Sequence, residues 1–150
     1  MAEAATIHAS AVLLGRKAAL IRGAAGSGKS RLVWDLLQAA VQGALPFARL
    51  IGDDRLHLET QSGRLLVRPA PALAGMIEIR GLGIRRLSYE PVAVAGLVVD
   101  LAAENAARYP GPEAGQTLIG GVSLPRLAVA AGVPALPMVL AFLRSLPAGN

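Results

Sequence analysis

The feature that most constrains this chain is a short glycine-rich segment near its start. Residues 23–30 read Gly-Ala-Ala-Gly-Ser-Gly-Lys-Ser and match the pattern G-x-x-x-x-G-K-[ST] at every fixed position. Before the match, residues 18–22 form an apolar run typical of a buried strand. After it, apolar residues recur at helical spacing from Lys29 to about Gln42. The sequence therefore predicts a strand, a tight loop and a helix in immediate succession.

A loop of this composition is suited to binding phosphate. Glycines let the backbone curl so that its N–H groups point inward, and the helix N-terminus adds partial positive charge. Lys29 is predicted to reach the terminal phosphates and the Ser30 hydroxyl to ligate Mg²⁺. A glycine-rich turn without a ligand is the alternative, but Lys29 is one of two lysines in an arginine-rich chain. The residues predicted to bind the nucleotide are Gly23, Ala24, Ala25, Gly26, Ser27, Gly28, Lys29 and Ser30.

Two consecutive carboxylates, Asp53 and Asp54, follow the apolar run 48–51. If that strand is a parallel neighbour of strand 18–22, the carboxylates face the same sheet edge as the loop. One of them could then hold Mg²⁺ through water, and the other could accept a proton from a hydroxyl nucleophile. The alternative is an acidic cap at a strand-to-turn junction.

Three further groups are weaker candidates when taken alone. His8 lies near the start of the chain, where a lone histidine is more often a packing residue than a catalyst. Glu78 and Arg80 stand in a short strand that runs into Gly81-Leu82-Gly83, which suggests a metal ligand and a charge clamp beside a mobile flap. An ordinary polar strand end is the competing interpretation.

Composition narrows the class of protein. The chain has 150 residues, is 53% hydrophobic and has a mean hydropathy of +0.49, so we expect one compact domain over residues 1–150 with no separate N-terminal domain. The longest uncharged run, 127–143, contains Pro134 and Pro137, which argues against a membrane span. No secretory signal is apparent, and the absence of cysteine fits a cytoplasmic protein.

The basic character of the chain favours an anionic ligand more than nucleic acid. Lys and Arg number 15 against 10 Asp and Glu, giving a net charge of +5. These cations are spread along the chain, and only 3% of the residues are aromatic, whereas nucleic-acid binders concentrate basic residues and add stacking rings. We therefore expect no nucleic-acid partner and no membrane partner.

The periodicity predicts a mixed α and β chain in which strands outnumber helices. The predicted elements are strands 7–14, 18–22, 48–51, 77–80 and 92–101, hairpins 56–67 and 118–129, a helical turn 102–107, and helices 29–42 and 134–146.

An ordered set of these segments resembles the catalytic domain of HPr kinase/phosphorylase, including its short proteobacterial forms. Ile7-His8 precedes the loop at the spacing typical of that family, and Leu50-Ile51-Gly52-Asp53-Asp54 is similar to its strand with paired aspartates. The run Glu78-Ile79-Arg80-Gly81-Leu82-Gly83-Ile84 is very similar to its second signature. By eye the resemblance extends from His8 to about Arg126.

The resemblance implies roles for the matching positions. Lys29 and the loop would hold the phosphates of ATP, Ser30 and Glu78 would ligate Mg²⁺, and Asp54 would be the base toward a serine of an HPr-like phosphocarrier. His8 and Asp53 would support the site. The implied flap comprises Arg80, Gly81, Leu82, Gly83 and Ile84, and Arg108 matches the family's later catalytic arginine by a looser alignment.

The implied fold is α/β, a P-loop-containing kinase core similar to the nucleotide domain of phosphoenolpyruvate carboxykinase, commonly assembled as a hexamer. The implied function is an ATP- and Mg²⁺-dependent serine-protein kinase that regulates the phosphotransferase system. The family's late basic loop, tied to the reverse phosphorylase reaction, has no match in the apolar stretch 127–137, so the kinase direction is favoured. Arg31 also stands where the family usually has Glu.

Two other functions remain open from the sequence. The altered C-terminal part would suit a nucleotide-sensing regulatory module with little catalysis. A P-loop kinase for a small hydroxylated metabolite would keep the same loop, because fold resemblance alone does not fix the substrate.

Overall fold

A computed structural model describes residues 5–148, which form eleven strands, two helices and one short 3₁₀ turn, Pro71–Leu73. The strands are β1 Ala5–Ile7, β2 Ala9–Leu14, β3 Lys17–Arg22, β4 Ala48–Gly52, β5 Leu56–Gln61, β6 Arg64–Pro69, β7 Met76–Ile79, β8 Gly83–Arg86, β9 Ala93–Leu101, β10 Gln116–Ile119 and β11 Val122–Val129. The helices are α1 Lys29–Val41 and α2 Ala135–Arg144.

Nine strands form one sheet, whose order is β1-β5-β6-β9-β3-β2-β4, with β11 paired to the end of β9 and β10 paired to β11. Strand β9 is parallel to both β3 and β11. Strand β2 is antiparallel to β3 on one side and to β4 on the other, so β3 and β4 run in the same direction. The carboxyl ends of β3, β4, β9 and β11 therefore lie at one edge of the sheet, where the loop after β3 begins.

The core lies on both faces of this sheet because successive side chains of a strand point to opposite sides. Ile21 of β3 packs in the cluster that includes Leu36 of α1. Its neighbour Leu20 packs on the other face, in the cluster that includes Val67 of β6 and Leu124 of β11. Helix α1 buries one apolar side against the sheet, and this fixes the loop that precedes it.

Most of the predicted elements are confirmed. The structure contains the strand before the glycine-rich loop, the helix after it, both hairpins and the terminal helix, so the mixed α and β class is confirmed. Neither helix in the described range is long and apolar enough to cross a membrane.

Four predictions need correction. Segment 7–14 is two strands that bend at His8, because β1 pairs with β5 whereas β2 pairs with β3. Residues 102–107 form turns instead of a helical turn, and Ala102 has a positive φ of 52° that stops a helix from starting. The segment after Gly81 continues as β8, which the sequence did not indicate. Strands β3 and β4 are not neighbours, since β2 lies between them.

Candidate functional site

The glycine-rich loop joins β3 to α1, and two of its glycines are required by geometry. Gly28 caps α1 with a φ of 103°, and its carbonyl accepts the first helical hydrogen bond from the Leu32 N–H at 2.9 Å. A Cβ placed on Gly23 would lie 2.4 Å from Ser27 Oγ, so only glycine lets the loop close on itself there. The result is a tight turn directly at the N-terminus of a 13-residue helix.

Lys29 is the first residue of α1 and is buried, with 9% of its surface exposed. Its Nζ donates hydrogen bonds to the carbonyl oxygens of Gly23 at 2.7 Å and Ala24 at 3.1 Å. The ammonium group is thus held against the loop by neutral acceptors alone. No carboxylate within residues 5–148 pairs with it.

Asp53, at the end of β4, is the centre of the polar network below the loop, and only 5% of it is exposed. Its carboxylate accepts hydrogen bonds from Ser30 Oγ at 2.8 Å to each oxygen and from Ser10 Oγ at 2.6 Å. The backbone N–H of Glu78 donates to it at 3.1 Å. These bonds tie together α1, β2, β4 and β7.

Ser10 is a residue that sequence reasoning missed. It is fully buried on β2, the strand that separates β3 from β4, and its Oγ also accepts a hydrogen bond from the Asp54 N–H at 3.2 Å. The sequence led us to expect that β3 and β4 would be direct neighbours. Instead β2 lies between them, and its Ser10 contacts the aspartates. A serine within an otherwise apolar strand was the available signal, but its partner depends on strand order.

Asp54 differs sharply from its neighbour. It has a φ of 71°, a conformation that aspartate tolerates better than most residues, and its side chain is exposed. Its carboxylate makes no hydrogen bond to any other group within residues 5–148. Of the two consecutive acids, one is thus a buried carboxylate that accepts several hydrogen bonds, and the other is a carboxylate that faces open space.

The open space is a cavity of about 610 Å³ between the loop and the β7–β8 hairpin. Its polar and aromatic lining side chains come from four parts of the chain: α1, the turn after β4, β7 and the turn between β7 and β8. They are Lys29, Ser30, Trp34, Asp54, Glu78 and Arg80. The structure therefore brings the predicted lysine, one of the twin acids and the lone glutamate to a common cavity.

The donors around Ser30 suit Mg²⁺. No group of three or more His, Cys, Asp or Glu residues that could hold a metal occurs in the described part of the chain. Mg²⁺ does not need one, because it binds through one or two carboxylates together with water and substrate phosphates. The Ser30 hydroxyl bonded to the Asp53 carboxylate, with Glu78 lining the same cavity, supplies oxygen ligands of this kind.

The predicted flap is an ordered hairpin of β7 and β8, separate from the main sheet. It is anchored on one side only: Ile77 is 1% exposed and packs in the α1 core, whereas every residue of β8 is exposed. Leu82 and Ile84 are 62% and 61% exposed. The hairpin therefore overhangs the cavity with Arg80 at its turn.

Two of the residues predicted to be catalytic, His8 and Arg108, lie outside the cavity lining. His8 is exposed at the bend between β1 and β2, and its Nε2 is 3.0 Å from the NH2 group of Arg55. Arg108 is exposed in the turns after β9 and lies over the ring of Tyr109, with 5.1 Å between the guanidinium carbon and the ring centre. Within residues 5–148, neither side chain is hydrogen-bonded to Asp53, Asp54 or Glu78.

A cluster that sequence reasoning did not identify lies beside Gly23. Asp100, near the end of β9, receives hydrogen bonds from Arg22 at 2.7 and 2.8 Å and from the Nε of Arg126. Burial works to raise the pKa of Asp100, but the hydrogen bonds from Arg22 and then Arg126 outweigh it and leave the pKa below its usual range. Arg126 also binds Asn105 Oδ1 and the Ala114 carbonyl, each at 3.0 Å, and so holds the 102–115 segment.

Fold and site together define an α/β protein with a glycine-rich loop at a helix N-terminus and a cavity beside it that two carboxylates line. No family model matches the chain. The curated HPr kinase/phosphorylase of Mycoplasma mycoides subsp. mycoides SC is 38% identical to it over 77 residues, which cover 51% of this chain and 22% of that protein. The match thus spans less than a quarter of the relative's length.

A solved structure extends the likeness to nearly the whole chain. The HPr(Ser) kinase/phosphatase from Coxiella burnetii superposes with a TM-score of 0.73 and covers 93% of this chain and 88% of its own, at 21% identity. The chain therefore shares the mixed α/β fold of that HPr(Ser) kinase/phosphatase. The resemblance indicated by the sequence motifs is confirmed by the names of both relatives.

Proposed function

We propose that this chain is an ATP- and Mg²⁺-dependent serine-protein kinase that phosphorylates an HPr-like phosphocarrier. The observation that carries the proposal is the cavity shared by Lys29, Ser30, Asp54 and Glu78. The names of the two relatives support the substrate class.

The glycine-rich loop and Lys29 would bind the triphosphate. The amides at the start of α1 and the Lys29 ammonium would bind the phosphate oxygens, with Nζ exchanging its two loop carbonyls for stronger, charged acceptors. Because Lys29 has no carboxylate partner among its hydrogen bonds, no ion pair has to be broken first. The site is thus prepared for an anion.

The metal would be held by Ser30 and Glu78, with Asp53 fixing the serine hydroxyl. Bound Mg²⁺ supplies neutralisation of the charge on the terminal phosphates. Asp53 is poorly placed to act as a base, since its oxygens already accept hydrogen bonds from Ser10, Ser30 and Glu78.

Asp54 is the residue best suited to activate the acceptor. Its carboxylate faces the cavity and can accept the proton of a seryl hydroxyl as that oxygen attacks the terminal phosphorus. The phosphorus–oxygen bond to the β-phosphate then breaks and ADP leaves, so atoms and charge balance. Arg80, at the turn of the hairpin, would stabilise charge on the transferred group.

Other parts of the proposal rest on resemblance. We include regulation of the phosphotransferase system, a cytoplasmic location, a hexameric assembly and a single catalytic domain over 1–150. We assign His8 and Arg108 supporting and catalytic roles that would require movement toward the cavity.

A nucleotide-sensing module is the second candidate. It is favoured by the segment between β11 and α2, Ala130 to Pro134, which has no cation to bind a second phosphate. Such a module would bind ATP tightly without turnover and would capture a partner only when nucleotide is present.

Transfer of labelled phosphate from ATP to purified HPr tests the kinase proposal. We expect phosphoserine on HPr with the unaltered chain and a loss of about 100-fold or more in rate for Asp54→Asn, the contribution typical of a general base. Asparagine also tolerates a positive φ, so the fold should be kept.

Glu59→Gln is the matched control, because this acid pairs with Arg68 on the β5–β6 hairpin at 3.0 Å, far along the chain from the loop. Its rate should equal that of the unaltered chain. Absence of phosphoserine with the unaltered chain, or full activity of Asp54→Asn, would contradict the proposal.

A further inference from the structure

A second cavity opens on the other side of the glycine-rich loop. It has a volume of about 420 Å³ and lies between α1, the end of β9 and the segment that joins β11 to α2. Its lining combines aliphatic side chains and glycines with the Arg31–Asp35 ion pair, and we call it the apolar cleft after its aliphatic wall. The aliphatic wall includes Leu101, Val129, Val133 and Leu136.

The apolar cleft and the carboxylate cavity are joined through the loop itself. Gly26, Gly28 and Arg31 line both of them. A triphosphate bound along the loop amides with its terminal phosphate beside Lys29 would therefore point its other end toward the apolar cleft. That other end carries the nucleoside.

One polar group in the apolar cleft needs a ligand partner. The Oγ of Ser27 is buried and has no hydrogen-bond partner within residues 5–148. A buried hydroxyl without a partner is unfavourable, and most such groups in folded proteins are satisfied. An oxygen of a bound phosphate or sugar would supply the missing partner.

The other space beside the loop is less suitable for a nucleobase. It is lined by the charged side chains of Arg22, Asp100, Glu104 and Arg126. The two arginines are already committed to Asp100, so a base placed there would bury its apolar face against charged groups. In the apolar cleft, the Arg31–Asp35 pair occupies only part of the lining, and the side chains of Val133 and Leu136 offer a base an aliphatic surface.

We propose that the apolar cleft binds the nucleoside of the triphosphate, with its base packed against Val133 and Leu136. The proposal rests on the proposed function, because it needs a nucleoside triphosphate on the loop. It assigns a role to the β11–α2 segment, the part of the chain that departs most from the family's pattern. Affinity for ATP then depends on aliphatic side chains outside the glycine-rich motif.

Calorimetric titration of the whole chain with ATP and with inorganic tripolyphosphate tests this assignment. Both ligands carry three linked phosphates, but only ATP has a nucleoside. We expect ATP to bind about tenfold or more tightly than tripolyphosphate, because burying the base adds apolar contact.

Val133→Ser should weaken ATP binding about threefold, since it replaces methyl groups with a hydroxyl, and should leave tripolyphosphate binding unchanged. Val133 is 50% exposed, so the substitution should not disturb the core. Val92→Ser is the matched control, because Val92 is 39% exposed and lies before β9, outside the cleft. It should alter neither affinity.

Equal affinities for ATP and tripolyphosphate would overturn the inference and leave the phosphate site of the proposed function standing. Equal weakening of both ligands by Val133→Ser would also overturn it. Failure of ATP to bind would overturn the proposed function together with this inference.

Discussion

At the scale of single residues, the site depends on the different environments of two adjacent aspartates. Asp53 is buried and holds three donor groups in place, whereas Asp54 adopts a positive φ and faces the cavity. The sequence alone could not show which aspartate is buried and which is exposed. The difference depends on Ser10, which bonds to Asp53 from a strand 43 positions away in the chain. The pair was predictable from the sequence, but the partner was not.

Asp100 carries the clearest prediction for stability and pH. Its lowered pKa means that its pairing with Arg22 and Arg126 contributes stability above the unfolded value of 3.8 and loses it as pH falls through the lower folded value. Asp100→Asn should therefore cost about 2–3 kcal/mol of unfolding free energy at pH 7. The difference from the unaltered chain should shrink on acidification below pH 3.8.

Urea unfolding at pH 7 and at pH 3 measures this difference. Glu90→Gln is the control, because its pair with Arg49 is well exposed and should be worth less than about 1 kcal/mol. A cost for Asp100→Asn that is the same at both pH values would show that its charge does not stabilise the fold.

At the scale of elements, local sequence patterns were sufficient to predict those helices, strands and hairpins that have a clear hydrophobic periodicity of their own. The strand–loop–helix unit and the hairpins with glycine turns are of this kind. The split at His8, the insertion of β2 between β3 and β4, and the Arg22–Asp100–Arg126 cluster depend on which distant strands pair. No local pattern carries that information, so these features could not be predicted.

The β7–β8 hairpin is held on its inner side chiefly by Ile77, with Ile79 packed against the same core and the Glu78 N–H bonded to Asp53. Ile77→Ala should destabilise the protein by about 3 kcal/mol, because it opens a hole in the α1 core. Ile84→Ala is a matched control in the same hairpin, since that side chain is 61% exposed and should change stability by less than about 0.5 kcal/mol. Urea unfolding checks both variants, and equal costs would contradict the one-sided anchoring.

At the scale of the whole molecule, the sheet brings separate stretches of sequence to one edge. The ends of β3 and β4 deliver the loop and the aspartates, the ends of β9 and β11 border the apolar cleft, and the separate hairpin adds Glu78 from above. The loop lies between two cavities, one lined by the carboxylates of Asp54 and Glu78 and one with an aliphatic wall that includes Val133 and Leu136. That division is what an extended ligand with a charged end and an apolar end requires.

The most direct measurement is a crystal structure of the chain with Mg²⁺ and a non-hydrolysable ATP analogue. We predict that the terminal phosphate accepts a hydrogen bond from Lys29, that the metal contacts Ser30, and that Asp54 faces the terminal phosphorus. A terminal phosphate bound away from Lys29, or carboxylates of Asp54 and Glu78 turned from the nucleotide, would contradict the account.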